Sequence, residues 1–312
     1  MPSPLHAYDA LAIYGAHFPP PVFVVDGLLP RGLTLAAGRP KVGKSWLALQ
    51  LAVDFVLGRL ALGQFRVPKP GRVTYLALEE PQHRTHHRLH QIIATPDARL
   101  ENIRFLYEVQ PLMSGGMEQL DAFLKANPSE LVIIDTLLAF VAAHSSRSDI
   151  LRGDYTEVNT LRQLAEKHSA AMLAVAHSRK AAGNLVDSII GTSGTTAACD
   201  SVWQLKRLGS NQAILEVKGR ELEEAQYALE FNTGMPFGWH VTGAGPGVGI
   251  SAERREILTL LQREGAKKPG EIAALLGKNA STVRRLIQQL VIDGLIEKQA
   301  GGIYVPCADG MA

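Results

Sequence analysis

The chain has 312 residues, 46% hydrophobic and 20% charged, a balance that suits a large globular core with a small appendage and excludes a disordered chain. Its net charge of +2 supplies no global field for nucleic acid, so any basic binding surface must be local. The two cysteines, Cys199 and Cys307, stand far apart, which argues against a disulfide framework or a cysteine zinc site and fits a reducing compartment. No apolar run approaches the roughly 18 residues of a membrane span. Residues 1–21 lack the charged-then-apolar order of a secretory signal, so a cytoplasmic protein is expected.

After a lead-in over residues 1–30, residues 33–37 read as an apolar strand and 45–57 as an apolar helix. Between them, Gly38-Arg39-Pro40-Lys41-Val42-Gly43-Lys44-Ser45 satisfies G-x-x-x-x-G-K-[ST], a phosphate-binding loop in its required strand-to-helix setting. The glycines let the backbone curl so that its amides point at phosphates, and the helix N-terminus adds its positive end. Lys44 is expected to reach the β- and γ-phosphates of ATP, and the Ser45 hydroxyl to ligate Mg²⁺. The glycine spacing is not that of a dinucleotide-binding turn.

Residues 73–78 form the next strand, which runs into Glu79, Glu80 and Pro81. Glu79, at the C-terminal end of a central strand, is the candidate to orient or deprotonate the attacking water, with Glu80 assisting the metal or a hydrogen bond. The alternative is that both acids merely favour the start of the following helix, 82–93. His83, His86, His87 and His90 share one face of that helix, but Arg84 and Arg88 interleave and no carboxylate or cysteine completes a site, so no metal is assigned there.

A strand at 103–107 and a helix at 119–126 precede the strand 131–135, four apolar residues closed by Asp135. Asp135 fits the Walker B carboxylate that holds the metal indirectly, and Thr136 stands where other ATPases place their catalytic Glu. A helix at 155–167 leads to a strand at 171–176 and then His177, a candidate γ-phosphate sensor. Strands at 202–206, 214–218, 227–231 and 239–241 follow on short connections. Continuous apolar strands alternating with helices predict an α/β domain with a mostly parallel sheet, and the last strands an antiparallel extension of its edge.

This order of phosphate loop, strand-end glutamate, Walker B Asp and strand-end His resembles the RecA/DnaB superfamily, and within it the ATPases similar to plasmid RepA-type replicative helicases. The resemblance spans roughly residues 20–232 and includes Val24 to Gly32 and Leu78-Glu79-Glu80-Pro81 with Arg84, Arg88 and Leu89. It implies a RecA-like P-loop core working as a homo-oligomer, a hexameric ring with ATP at subunit interfaces. A neighbour's basic finger completes such sites. Lys218 and Arg220 match it here, with Lys206 and Arg207 as competitors. Residues 143–153, with His144, Arg147 and Arg152, and 178–194, with Arg179 and Lys180, are the candidate channel loops for single-stranded DNA, or else ordinary solvated loops.

Gly243, Gly245, Pro246, Gly247 and Gly249 make 243–250 read as a linker that holds neither helix nor paired strand, which closes the ATPase domain at residue 242. Residues 251–307 read as three helices and a β-hairpin, resembling a winged helix-turn-helix. The third helix turns Val283, Leu286, Ile287 and Leu290 inward and Ser281, Thr282, Arg284, Arg285, Gln288 and Gln289 outward. With nine Lys or Arg against six Asp or Glu, the module suits duplex DNA, protein contacts being the other use of such a domain. The resulting expectation is an ATP-hydrolysing DNA motor or remodelling protein of the RepA-like helicase type acting in replication. Its rival is an ATP-dependent DNA-binding regulator or replication accessory protein.

Overall fold

The structure is a computed structural model that describes residues 7–141, 150–177, 196–244, 252–292 and 295–307. Its centre is a nine-stranded sheet in the order β11-β10-β9-β8-β3-β7-β6-β4-β5. Six strands run parallel: β3 (Gly32–Gly38), β4 (Val73–Ala77), β5 (Ile103–Leu106), β6 (Leu131–Asp135), β7 (Ala171–His177) and β8 (Ser201–Arg207). β9 (Gln212–Gly219), β10 (Ala225–Asn232) and β11 (Gly238–Ala244) continue it antiparallel, as their short connections require.

Both faces of the parallel part are buried, which is why its strands read as unbroken apolar runs. On β6, Leu131 and Ile133 enter one core while Val132 and Ile134 enter the other, and β7 divides its residues the same way. The first core is covered by α2 (Lys44–Leu57) and α3 (Gln82–Ile92), the second by α4 (Gly116–Ala126), α5 (Leu137–Phe140) and α6 (Ile150–Lys167). α1 (Ala10–Gly15) and the short pair β1 (Phe23–Val25) and β2 (Leu29–Pro30) lie in the lead-in. Elements of two or three residues carry no readable period, and neither these strands nor α5 stands out in the sequence.

Contrary to expectation, the first two residues of the stretch 243–250 are not linker. Gly243 and Ala244 are paired strand, opposite Ala228 and Tyr227 of β10. Glycine is tolerated there because β11 is an edge strand and its register slips between Ala228 and Leu229, where side-chain packing counts least. Residues 245–250 lie outside the described residues.

The C-terminal helices are α7 (Ala252–Glu264), α8 (Pro269–Leu276) and α9 (Ala280–Ile292), followed by the hairpin β12 (Ile296–Gln299) and β13 (Ile303–Pro306). Ile257, Leu261, Ile272, Val283, Ile287, Leu290 and Ile296 form a separate core. α8 stops at Gly277, whose φ of 61° makes the sharp turn into α9. Arg284, Arg285, Gln288 and Gln289 face solvent on α9, the surface that a helix-turn-helix presents to a partner.

Candidate nucleotide site

β3 delivers the chain into residues 39–43, and α2 opens at Lys44. The loop closes because Lys41 and Gly43 adopt left-handed backbone, with φ of 64° and 106°. Space also demands glycine. A Cβ on Gly38 would stand 2.7 Å from the Leu205 carbonyl oxygen, and one on Gly43 2.8 Å from the Trp239 ring. Gly43 caps α2 without a side-chain hydrogen bond, so the first-turn amides and the helix dipole are directed at an incoming anion.

Lys44 is 6% exposed, and its Nζ donates to the carbonyls of Gly38 (2.8 Å) and Arg39 (3.0 Å) and lies 3.3 Å from His177 Nδ1. Burial pulls its pKa down to about 8, against the pull of Asp135 and Glu79 in the other direction. His177 arrives because β7 pairs with β3 in a register that sets it opposite Gly38. Burial first, and then Lys44, lower the pKa of this imidazole, so its neutral form is favoured.

Asp135 closes β6 between β4 and β7 and is 5% exposed. Burial raises its carboxyl, and the hydroxyls of Ser45 and Tyr75, with Arg88, oppose that shift. The Tyr75 hydroxyl donates to Oδ2 at 2.9 Å. Oδ1 is buried without a hydrogen-bond partner among the described residues. A buried acceptor of this kind is costly unless something else satisfies it. The Ser45 hydroxyl and the Asp135 carboxylate are hard oxygen donors of the kind Mg²⁺ takes, partly through water. The residues present therefore fit that ion.

Glu79 follows β4, with its carboxylate exposed toward the same end of the sheet, and its Oε1 accepts from the Thr136 hydroxyl at 2.6 Å. Glu80 lines a small pocket with Tyr75, Arg88 and Asp135, and there it pairs at 2.7 Å with Arg88, which lies 4.8 Å over the Trp46 ring. The four residues expected to be catalytic, Lys44, Glu79, Asp135 and His177, thus meet at the C-terminal ends of β3, β4, β6 and β7. Tyr75 and Thr136, which hold the two carboxylates, were not singled out by sequence pattern. The only signal was a tyrosine in a buried strand, whose hydroxyl must find a partner.

A family model described as an AAA domain, AAA_25, matches residues 2–183, a stretch that contains all four of these residues. The chain belongs to the AAA_25 family. A second model, for the IclR helix-turn-helix domain, matches residues 256–300. Among solved structures, the AAA_25 protein is similar to one titled "ATPase Domain of G40P". The two are 16% identical with a TM-score of 0.52, over 64% of this chain and 81% of that one. That likeness establishes a RecA-like fold for the core. A comparison with the curated proteins found no match.

In this AAA_25 protein Lys218 and Arg220 lie beyond the matched stretch and away from the chain's own phosphate loop. Gly219 is level with Ser201, and Ser201 with Thr34, four residues down β3 from Gly38, a distance of about 13 Å along the strand. Arg220 is exposed and 3.7 Å from Asp200, and Lys218 pairs with Glu224 at 2.9 Å. The competing Lys206 is bound to Glu216 at 2.7 Å, and Arg207 donates to the Lys41 carbonyl of its own loop at 3.2 Å. The loops with His144 and Arg147, and with Arg179 and Lys180, lie outside the described residues, and for Arg152 only the helical backbone is described. On α3, His86 and His90 approach within 3.1 Å through their Nε2 atoms, and no group of three metal-ligating side chains occurs among the described residues. No helix among the described residues is long and apolar enough to cross a membrane.

Proposed function

We propose that this protein binds and hydrolyses ATP with Mg²⁺ and uses the energy to move or remodel DNA, in the manner of a RepA-like helicase acting in replication. The observation that carries the reading is Oδ1 of Asp135, buried without a hydrogen-bond partner among the described residues, beside Lys44, Ser45 and Glu79. The loop amides and Lys44 hold the phosphates, and Ser45 with Asp135 holds Mg²⁺. Bound MgATP supplies the transferable phosphoryl group and neutralises charge as it leaves. Glu79, oriented by Thr136, aligns a water and takes its proton. His177, held near neutral beside Lys44, reads the γ-phosphate and passes its loss to the chain beyond β7. Glu80 supports Asp135 indirectly, by holding Arg88.

In this reading the active form is a homo-oligomeric ring, a hexamer, in the cytoplasm. Arg220 is the finger offered to the neighbour's nucleotide, with Lys218, whose pair with Glu224 is open to solvent, whereas Arg207 is committed to its own loop and Lys206 to the buried Glu216. Single-stranded DNA passes along the loops 143–153 and 178–194. The division into an ATPase domain, a glycine-rich linker and a helix-turn-helix domain lets duplex DNA be held separately on α9. The match to an IclR helix-turn-helix favours the second reading, an ATP-dependent DNA-binding regulator.

Steady-state ATP hydrolysis with and without single-stranded DNA, on wild type and Lys44→Ala together, decides between them. Stimulation by single strands that is lost in the variant supports the motor. Slow hydrolysis indifferent to single strands, with tight binding of one duplex sequence, favours the regulator. Equal hydrolysis by wild type and Lys44→Ala would refute the motor and the assignment of hydrolysis to this site.

A further inference from the structure

β11 lies four places from β3 in the sheet, yet it touches the phosphate loop. The antiparallel extension folds over α2, and Trp239, 1% exposed, is the point of contact. Its indole Nε1 donates to the Gly43 carbonyl at 3.2 Å, the same oxygen that accepts the Leu47 amide in the first turn of α2. Its backbone is gripped by one side chain: Gln50 Oε1 accepts from Trp239 N at 2.7 Å, and Gln50 Nε2 donates to Trp239 O at 2.8 Å. Gly238, at φ 119°, permits this approach, because a Cβ there would collide with Gln50 Oε1. Two residues further on, Val241 N donates to Leu62 O at 3.0 Å.

Such a fastening leaves little slack. Close-packed interiors transmit displacement because they have no voids to absorb it. A movement of Gly43, the glycine whose neighbours' amides must surround a phosphate, cannot leave Trp239 in place without losing the indole bond. β11 is the last strand of the core. It ends at Ala244, and α7 of the helix-turn-helix domain opens at Ala252.

We propose that Trp239 is a positioning residue for the phosphate loop, and that β11 carries the loop's nucleotide state to the helix-turn-helix domain. The proposal rests on the nucleotide reading above. It assigns no chemistry to Trp239, only the placement of Gly43 and the coupling that follows. Coupling between sites is reciprocal, so DNA on the domain must change nucleotide affinity by the factor by which nucleotide changes DNA affinity.

Trp239→Phe in the full chain deletes the indole donor and keeps a ring against Phe231, whose centroid lies 5.0 Å away. The affinity for a fluorescent ATP analogue with Mg²⁺ is measured, together with the affinity for a random-sequence duplex with and without ATP. The variant is expected to bind the analogue about fivefold more weakly, the loss that accompanies one ordinary hydrogen bond. ATP is expected to shift duplex affinity at least threefold in wild type and not at all in the variant. Wild-type nucleotide affinity with an intact ATP-dependent shift in Trp239→Phe overturns the proposal, as does a wild type without any shift. If instead wild type fails to bind the analogue, or Lys44→Ala binds it equally well, the nucleotide reading itself has failed and the proposal falls with it. Should Trp239→Phe not fold, amide hydrogen exchange on wild type is the deciding measurement. Slower exchange in β11 on adding ATP supports the link, and unchanged exchange refutes it.

Discussion

Asp54 is an acid in the wrong surroundings, and replacing it should change how stability depends on pH. It lies one helical turn beyond Gln50 in α2, 6% exposed, and its Oδ2 has no hydrogen-bond partner among the described residues. Burial raises its pKa from 3.8 to about 7, with Arg59, the Leu62 amide and Gln50 resisting. Between those two values the folded protein keeps a proton that the unfolded chain has released. Stability must therefore fall as pH rises through that window and level off above it. A window of about three pH units corresponds to about 4 kcal/mol at about 1.4 kcal/mol per unit. That is a large share of the ~5–15 kcal/mol that holds a domain folded. Asp54→Asn reproduces the neutral form at every pH. The assay is urea unfolding followed by tryptophan fluorescence from pH 4 to pH 8, which reports the core alone because Trp46, Trp203 and Trp239 all lie there. The other titrating groups are common to both proteins and cancel in the difference. The Asp54→Asn variant should match wild type near pH 4 and exceed it by up to about 4 kcal/mol above pH 7. Parallel curves across the window would show that Asp54 is hydrated in solution and that the burial argument is wrong.

Three further outcomes are expected at the candidate nucleotide site and a fourth on α9. Glu79→Gln should bind nucleotide normally and lose about a hundredfold or more in turnover, and Thr136→Val about tenfold, since one charge-assisted hydrogen bond orients the carboxylate. Normal turnover at saturating ATP in Glu79→Gln removes it as the base. Arg220→Ala should leave nucleotide affinity of the monomer unchanged and lower turnover of the assembled protein by about 10³-fold or more, as loss of a trans finger does. Normal multiple-turnover activity in that variant retires the finger. Replacing Arg284 and Arg285 on α9 with alanine should reduce the slope of log duplex affinity against log salt by about two, and an unchanged slope would point α9 toward a protein partner instead.

Much of the candidate site was legible because its residues fall in short stretches. Gly38 to Ser45 is a contiguous loop between a strand and a helix, and Asp135 and His177 each follow an unbroken apolar run that can only be a strand buried on both faces. Residues at the C-terminal ends of parallel strands meet at one edge, so Lys44, Asp135, His177 and Glu79 could be grouped before their distances were known. The helix-turn-helix was equally plain from Gly265 and Gly277 as stops and from the apolar spacing between them. The glycine-rich stretch misled at Gly243 and Ala244, where edge pairing with β10 outweighs poor strand propensity.

The class of chemistry follows from the order of residues alone: a phosphate loop, carboxylates on neighbouring strands and a separate helix-turn-helix, each encoded within a short stretch. Which groups hold those residues in place depends on the folded chain. Tyr75 reaches Asp135 across 60 residues, and Thr136 reaches Glu79 across 57, through the pairing of β4 with β6. Arg207 is tied to its own loop while Arg220 stands at the far end of the sheet. Trp239 meets Gly43 across 196 residues. A side-chain contact across such a separation has no period or spacing to betray it. It exists because the sheet order and register place those two atoms together.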